Sequence, residues 1–329
     1  MEVESHLCPI CSSATRSQLY QGVNADNPSQ PSIAIVRCND CTAIYSVSNA
    51  IASISDSKID YYGAGYYGEK SAKNLLNRLA IGLFQIERRR KALGGRKAGV
   101  ILDIGCGDGE FLAGISTNWR RYGYEPSPAG RLLLQNRSTI SLVDPFSAEV
   151  NERFDVITMW QSLEHIEEPG LILNRAKELL SKDGILFLSV PNIDSLQAKL
   201  FQGIWFHLDP NRHLTHFSID SLSALANSCQ MEVIDHDSFS LEYGVFGWLQ
   251  SLMNAIGFDF NLLYRMLKQR GPVGERSPKV MQRTALIALF PVLFTLSIAL
   301  FIIESLLGSG AVLNVRLAPS PRTKHLVQL

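Results

Sequence analysis

The stretch Val100-Ile-Leu-Asp103-Ile-Gly105-Cys-Gly107-Asp-Gly109-Glu-Phe-Leu112 decides the fold. Val100, Ile101, Leu102 and Ile104 read as a buried strand, the three glycines as a tight loop, and Phe111, Leu112 and Ile115 fall at helical spacing. Glycine between strand and helix lets the backbone approach a ligand that a side chain would keep away. In doubly wound sheets such a loop lies at the carboxyl end of a strand, where ligands bind. A dinucleotide fingerprint, Gly-x-Gly-x-x-Gly, started at Gly105 would need glycine at position 110, where Glu110 stands. That reading is excluded, and the pattern present is Asp103-x-Gly105-x-Gly107-x-Gly109.

Further strands are expected downstream. Arg121-Tyr-Gly-Tyr-Glu125 ends in a carboxylate about 20 residues on, where such folds hold a ribose, and two acceptor oxygens suit a vicinal diol. Leu142-Val-Asp144 reads as the next strand end, Phe154–Trp160 as the fourth strand, Gly184–Asn192 as the fifth and Met231–Asp237 as the sixth. Taken in order, residues 61–240 resemble the class I S-adenosylmethionine-dependent methyltransferases. The resemblance implies an α/β fold, a Rossmann-like, doubly wound, seven-stranded sheet, with S-adenosylmethionine as methyl donor. It assigns the cofactor site to Asp103, Gly105, Gly107, Gly109, Glu125, Asp144 and Trp160, with Glu125 on the ribose and Asp144 at the adenine amino group. Cys106, inside the loop, reads as a small filler.

Trp205-Phe-His207-Leu-Asp-Pro-Asn-Arg212-His213-Leu-Thr-His216-Phe-Ser218 is similar to a segment found in bacterial methyltransferases, including ubiquinone-type and sugar-modifying enzymes. Ser218 is the expected N-cap of the following helix. Histidine can take a proton near neutral pH, so His165, His207 and His213 are candidate bases toward a hydroxyl acceptor. The competing reading has Arg212 and His213 holding the loop through backbone and through Glu164.

The N-terminal part carries Cys8-Pro-Ile-Cys11 and Cys38-Asn-Asp-Cys41. Two Cys-x2-Cys turns supply four thiolates to a tetrahedral zinc ion, and four cysteines leave no open position, so Zn2+ here is expected to be structural. Ile33–Arg37 and Ala43–Val47 are the expected short strands of a ribbon too small to fold on an apolar core alone. The first residues, Met-Glu-Val-Glu-Ser-His, lack the regions of a signal peptide, which favours reduced thiols and the cytosol. Formal net charge is zero over 329 residues, with 46% hydrophobic residues. No basic face is foreseen, and no nucleic-acid partner is expected.

Tyr61-Tyr-Gly-Ala-Gly-Tyr-Tyr-Gly68 reads either as an aromatic cover over the cofactor or as a loop packed on the domain. A helix begins near Ser71, and its charged end, Glu87-Arg-Arg-Arg-Lys91, reads as solvated. Gly244–Leu263 is apolar and aromatic; Lys268, Arg270, Arg276, Lys279 and Arg283 follow against the single acid Glu275. Thr284–Ile303 is then free of charge for about 20 residues, the length that crosses a bilayer. Ala311–Ala318 alternates as a last strand, antiparallel beside the sixth by the resemblance. A single crossing would separate that strand from its partner, so a shallow or re-entrant insertion is expected, with the basic stretch against anionic headgroups.

The expected organisation is a zinc ribbon at 1–45, linker and aromatic segment at 46–70, the core at 71–243, a membrane-associated helical insertion at 244–310, and last strand and tail at 311–329. The expected function is methyl transfer to a small lipid-like, quinone-like or lipid-linked sugar acceptor at the cytoplasmic side of the membrane. The alternatives are a soluble sugar or metabolite methyltransferase merely anchored there, and a non-catalytic binding module.

Overall fold

The computed structural model describes residues 7–25, 28, 31–47, 75–267 and 280–321. The aromatic-glycine segment 61–68, the start of the first helix and most of the basic stretch 268–279 lie outside the described residues. Eleven strands are described: β1 Arg16–Gly22, β2 Ile33–Cys38, β3 Ile44–Val47, β4 Gly99–Ile104, β5 Trp119–Tyr124, β6 Ser141–Leu142, β7 Phe154–Trp160, β8 Leu180–Pro191, β9 Thr215–His216, β10 Met231–Asp237 and β11 Val312–Pro319. The helices are α1 Leu75–Leu93, α2 Glu110–Ala113, α3 Pro128–Gln135, α4 Pro169–Leu179, α5 Leu196–Phe201, α6 Ile219–Ser228, α7 Leu241–Ala255, α8 Leu262–Leu267 and α9 Val280–Leu306.

The main sheet has the order β10-β11-β8-β7-β4-β5-β6. β4 pairs in parallel with both β5 and β7, and β7 with β8. Only β11 runs antiparallel, wedged between β8 and β10. This is the doubly wound seven-stranded sheet expected from the sequence. Alternation within the strands sorts the core. Leu102, Ile104, Leu186 and Leu188 pack with Leu173, Ala176, Leu222 and Leu225 of α4 and α6. Ile101, Val156, Ile185 and Phe187 face the other way, toward α1, α2 and α3 through Ala92, Leu112 and Leu134. Both faces are covered, so the strands read as continuous apolar runs. Ser218 caps α6 as expected, accepting from Ser221 N.

The second sheet has the order β1-β2-β3-β9. The ribbon strands β2 and β3 lie where the sequence put them. Their fourth partner, β9, belongs to the histidine-rich loop of the core, with Ile44 opposite His216 and Tyr45 opposite Thr215. Ser46 N donates to Leu214 O at 3.0 Å and Ser46 Oγ meets His216 Nε2 at 2.9 Å. The ribbon is therefore stitched to the core by backbone pairing.

α9 is long and apolar enough, over Gln282–Leu306, to cross a membrane by length and composition. It packs along α7, and its inward residues Leu286, Leu293, Ser297, Phe301 and Glu304 are all buried. Gly244 in α7 permits the approach, because a Cβ there would stand 2.4 Å from the Phe301 ring. Glu304 accepts hydrogen bonds from Trp248 Nε1 at 2.7 Å and from Gln197 Nε2 at 3.1 Å. A carboxylate in an apolar helix is thus satisfied by the domain. The outward face is different: Ile287 is 76% exposed, Val292 65% and Leu306 83%.

The charged end of α1 is a correction. Lys91 is 7% exposed, bonded to Asp237 Oδ1 at 2.5 Å and to Phe239 O. Arg88 donates to Glu242 Oε2 at 2.5 Å and to Tyr243 OH at 3.1 Å. These side chains hold the helix to the sheet edge and to α7, rather than trailing in water.

Candidate active site

β4 and β7 are neighbours whose chains leave the sheet in opposite directions, toward β5 and toward β8. That switch point is where ligands bind in open α/β sheets. The glycine loop occupies it from one side and Gln161-Ser162 from the other. Gly105 has φ +77°, and a Cβ on it would stand 2.5 Å from Ser162 Oγ. Gly107 and Gly109 also adopt positive φ, 58° and 73°. The loop is therefore built of conformations that side-chain-bearing residues rarely hold.

Glu125, 6% exposed at the end of β5, turns back on this loop. Its Oε2 accepts Gly107 N at 2.8 Å and its Oε1 accepts Ser127 N at 2.9 Å. Each oxygen keeps a second lone pair for a ligand hydroxyl. Asp144 stands just beyond the short β6, its Oδ1 accepting Phe146 N at 2.9 Å. Asp103 is placed beneath the loop, 2% exposed, and takes the Thr158 hydroxyl at 2.6 Å, which ties β4 to β7. Burial raises its carboxyl to about 7, against the pull of Thr158 and Arg88. Trp160 closes the end of β7 against Phe111 and Phe187, with ring centroids 5.3 and 4.8 Å away. The Arg88 guanidinium lies 5.3 Å over its ring, a cation–π contact that no local sequence pattern discloses. Arg88 and Trp160, with Tyr243, Ser189 and Asn314, line a small cavity beside the switch point.

The three candidate histidines separate. His165 and His213 meet edge to face, with centroids 4.8 Å apart. His165 Nδ1 lies 3.1 Å from Arg212 O, and His213 Nδ1 lies 3.0 Å from His207 O. Burial lowers both, to about 3 for His165 and about 4 for His213, so each is neutral at pH 7. His207 lies apart from them, packed against Trp205, Phe206 and Tyr243 with its Nε2 3.1 Å from Tyr243 O. Glu164 shares the 3-10 turn Leu163–His165 and is 1% exposed. Among the described residues no hydrogen bond joins Arg212 to the Glu164 carboxylate, and Arg212 Nη1 holds Asp209 at 2.7 Å. Burial raises the Glu164 carboxyl to about 8.

In the ribbon, Cys8 Sγ lies 3.4 Å from Cys41 Sγ and Cys11 Sγ 3.5 Å from Cys38 Sγ. The four sulfurs lie within 4.8 Å of one another. Zinc–sulfur bonds of about 2.3 Å at tetrahedral angles put sulfurs about 3.8 Å apart, so the donor set fits that ion.

Residues 76–236 match a family described as a methyltransferase domain. The chain is 33% identical over 133 residues to a ubiquinone biosynthesis O-methyltransferase of Actinobacillus pleuropneumoniae, covering 36% of this chain and 55% of that protein. A protein of the same name from Azorhizobium caulinodans is 33% identical over 103 residues, covering 28% and 40%. The chain thus spans about half the length of the curated relatives it matches. A crystal structure of coclaurine N-methyltransferase superposes with a TM-score of 0.44 at 17% identity, covering 80% of this chain and 78% of that one.

Proposed function

We propose that this chain, whose residues 76–236 match a methyltransferase domain, is a class I S-adenosylmethionine-dependent methyltransferase that moves the methyl group to a lipid-like, quinone-like or lipid-linked sugar acceptor at the cytosolic surface of a membrane. Glycines 105, 107 and 109 cradle the donor, Glu125 takes the ribose hydroxyls, Asp144 the adenine amino group, and Trp160 walls the pocket. Methyl transfer from a sulfonium is an in-line displacement of an already activated group. The protein's work is chiefly to align the acceptor and exclude water. An acceptor hydroxyl would be oriented by the unprotonated His165–His213 pair. Zinc on Cys8, Cys11, Cys38 and Cys41 would be structural, holding the ribbon.

The observation that carries the membrane reading is the two-sidedness of α9. One face is committed to α7, and the other offers Ile287, Val292, Ile302 and Leu306 to the outside. Arg283 and the four basic residues at 268–279 precede it. An apolar face flanked by basic residues suits a helix lying in an anionic interface.

Glu125→Ala is expected to weaken S-adenosylmethionine binding by about 1–3 kcal/mol, the loss of hydrogen bonds to a charged group; calorimetry on the full chain reads it directly. The acceptor class is tested by supplying methyl-labelled S-adenosylmethionine with a membrane lipid extract and identifying the labelled product. A labelled lipid is the expected result. Label appearing only in water-soluble metabolites would favour an anchored soluble-substrate enzyme, and cofactor binding without any product would favour a binding module.

A further inference from the structure

Asp144 and Phe146 stand on a segment with no regular structure of its own. β6 ends at Leu142 after two exposed residues, and β7 begins only at Phe154. Val143 and Val150 pack against the core that includes α4, so the segment is tied by apolar contact near both ends. Between them the backbone is held by polar contacts. Ser147 N donates to Asp144 O at 3.1 Å and Phe146 N to Asp144 Oδ1 at 2.9 Å, closing a tight turn. The remaining support comes from Arg175 of α4. Its Nε donates to Pro145 O at 2.5 Å and its Nη2 to Ser147 O at 3.0 Å, so one guanidinium grips the carbonyls on either side of Phe146. Its Nη1 donates to Glu178 Oε2 at 2.9 Å, one turn along the same helix, which sets the plane of the fork. A half-exposed Arg–Glu pair contributes little by itself. A rigid fork that meets two carbonyls at once fixes geometry, which a point charge could not do.

The turn so gripped presents two groups outward. Phe146 is 46% exposed, and its ring meets Tyr124, the neighbour of Glu125, edge to face at 5.9 Å. The Asp144 carboxylate keeps one oxygen, Oδ2, without a partner among the described residues. An aromatic face beside an open carboxylate oxygen matches a flat base that carries an amino group. We propose that Arg175 is a positioning residue for the base of the methyl donor. By holding Pro145 O and Ser147 O it fixes Phe146 and Asp144 relative to each other, so that adenine is taken by its face and its amino group together. A base with an oxygen in place of that amino group then sets lone pairs against lone pairs. If the turn loosens, the carboxylate can slide to the ring N–H that such a base also carries, and the selection is lost. Arg175 acts only through the turn, and its part rests on the S-adenosylmethionine reading given above.

The test titrates the full chain with S-adenosylhomocysteine and with S-inosylhomocysteine, whose base carries oxygen where adenine has its amino group. Wild type is expected to prefer the adenosyl compound at least tenfold, within the roughly 5- to 150-fold worth of a hydrogen bond to a charged group. In Arg175→Gln that preference should shrink to about twofold or less, chiefly through weaker adenosyl binding. Arg175→Lys keeps the charge without the fork and should fall between the two. A side chain that merely braced the fold would lower both affinities together and leave the ratio intact. Hydrogen exchange on the ligand-free protein reads the turn itself: the Phe146 and Ser147 amides should exchange faster in Arg175→Gln, with β7 and α4 unchanged. An unchanged ratio in a variant that still binds, or unchanged exchange at those two amides, would overturn the proposal alone. A wild type that bound neither compound would overturn the S-adenosylmethionine reading, and this proposal with it.

Discussion

Gly105→Val is expected to reduce S-adenosylmethionine affinity by about two orders of magnitude or more. A residue forced to keep φ near +77° carries about 1–3 kcal/mol of strain, and a β-branched side chain sits at the costly end of that range. Strain alone converts to a roughly 5- to 150-fold loss. The new Cβ would also stand 2.5 Å from Ser162 Oγ and 3.0 Å from Ser162 Cβ, so loop and turn must separate at the point where the donor is proposed to sit. Calorimetric titration of the variant, with the thermal transition of the apo-protein as a control for folding, measures the effect. Gly105→Ala tests the mechanism, because it keeps the φ penalty and the Cβ contact without the branched methyls, and should fall between wild type and valine. Wild-type affinity in the valine variant would remove the glycine loop from the cofactor site.

Replacing Cys38 and Cys41 by serine is expected to cut methyl transfer by about 100-fold while leaving S-adenosylmethionine binding nearly unchanged. Two thiolate ligands are lost, and a ribbon whose own core is Val36, Ala43, Tyr45 and the cysteines has little else to hold it. The effect reaches the active site along a defined route. β3 pairs with β9, Ser46 N bonds Leu214 O, and Leu214 N bonds Glu164 O at 2.7 Å. When β3 loosens, the segment from Trp205 to Phe217 loses the neighbour that fixes its register. A displacement of about 1 Å among aligning groups costs about 100-fold in rate. Cysteine variants are preferred to chelators here, because they act on the ribbon alone. Hydrogen exchange at residues 205–217 should rise together with exchange in the ribbon. Full activity in a variant shown to lack zinc would disconnect ribbon from active site.

The sequence disclosed what rests on local pattern. β4, β7 and β10 lie where apolar runs and turn signals put them, and β11 where alternation resumes after α9. β1 escaped because its residues are mostly exposed and polar, Arg16-Ser-Gln-Leu-Tyr-Gln-Gly22, with no inward face to mark it. β9 is two residues long and exists only because β3 lies beside it. Arg88 and Lys91 were read as solvated because a run of charge gives no sign of partners more than 140 residues away, at Asp237 and Glu242. The residues proposed to hold the cofactor could be nominated because one continuous strand-loop-helix carries most of them. The closeness of Glu164, His165 and His213 was visible only as a density of histidines, since they come from the turn after β7 and the loop before β9.

β11 also sets the order in which the molecule can be completed during synthesis. β8 and β10 are not neighbours, so the sheet keeps an open slot until β11, which follows every other described strand in the chain, enters it. α9 leaves the ribosome ahead of that strand, apolar along nearly its whole length and without the filled slot to draw it back. Until β11 is in place, a bilayer and the half-built sheet would, on the membrane reading proposed above, compete for the same helix. Glu304, one of the last residues of α9, biases the outcome: its carboxylate costs energy in hydrocarbon and finds donors on Trp248 and Gln197, which are already made. On the membrane reading proposed above, the nascent chain would thus carry its own bias toward lying on the membrane rather than threading through it.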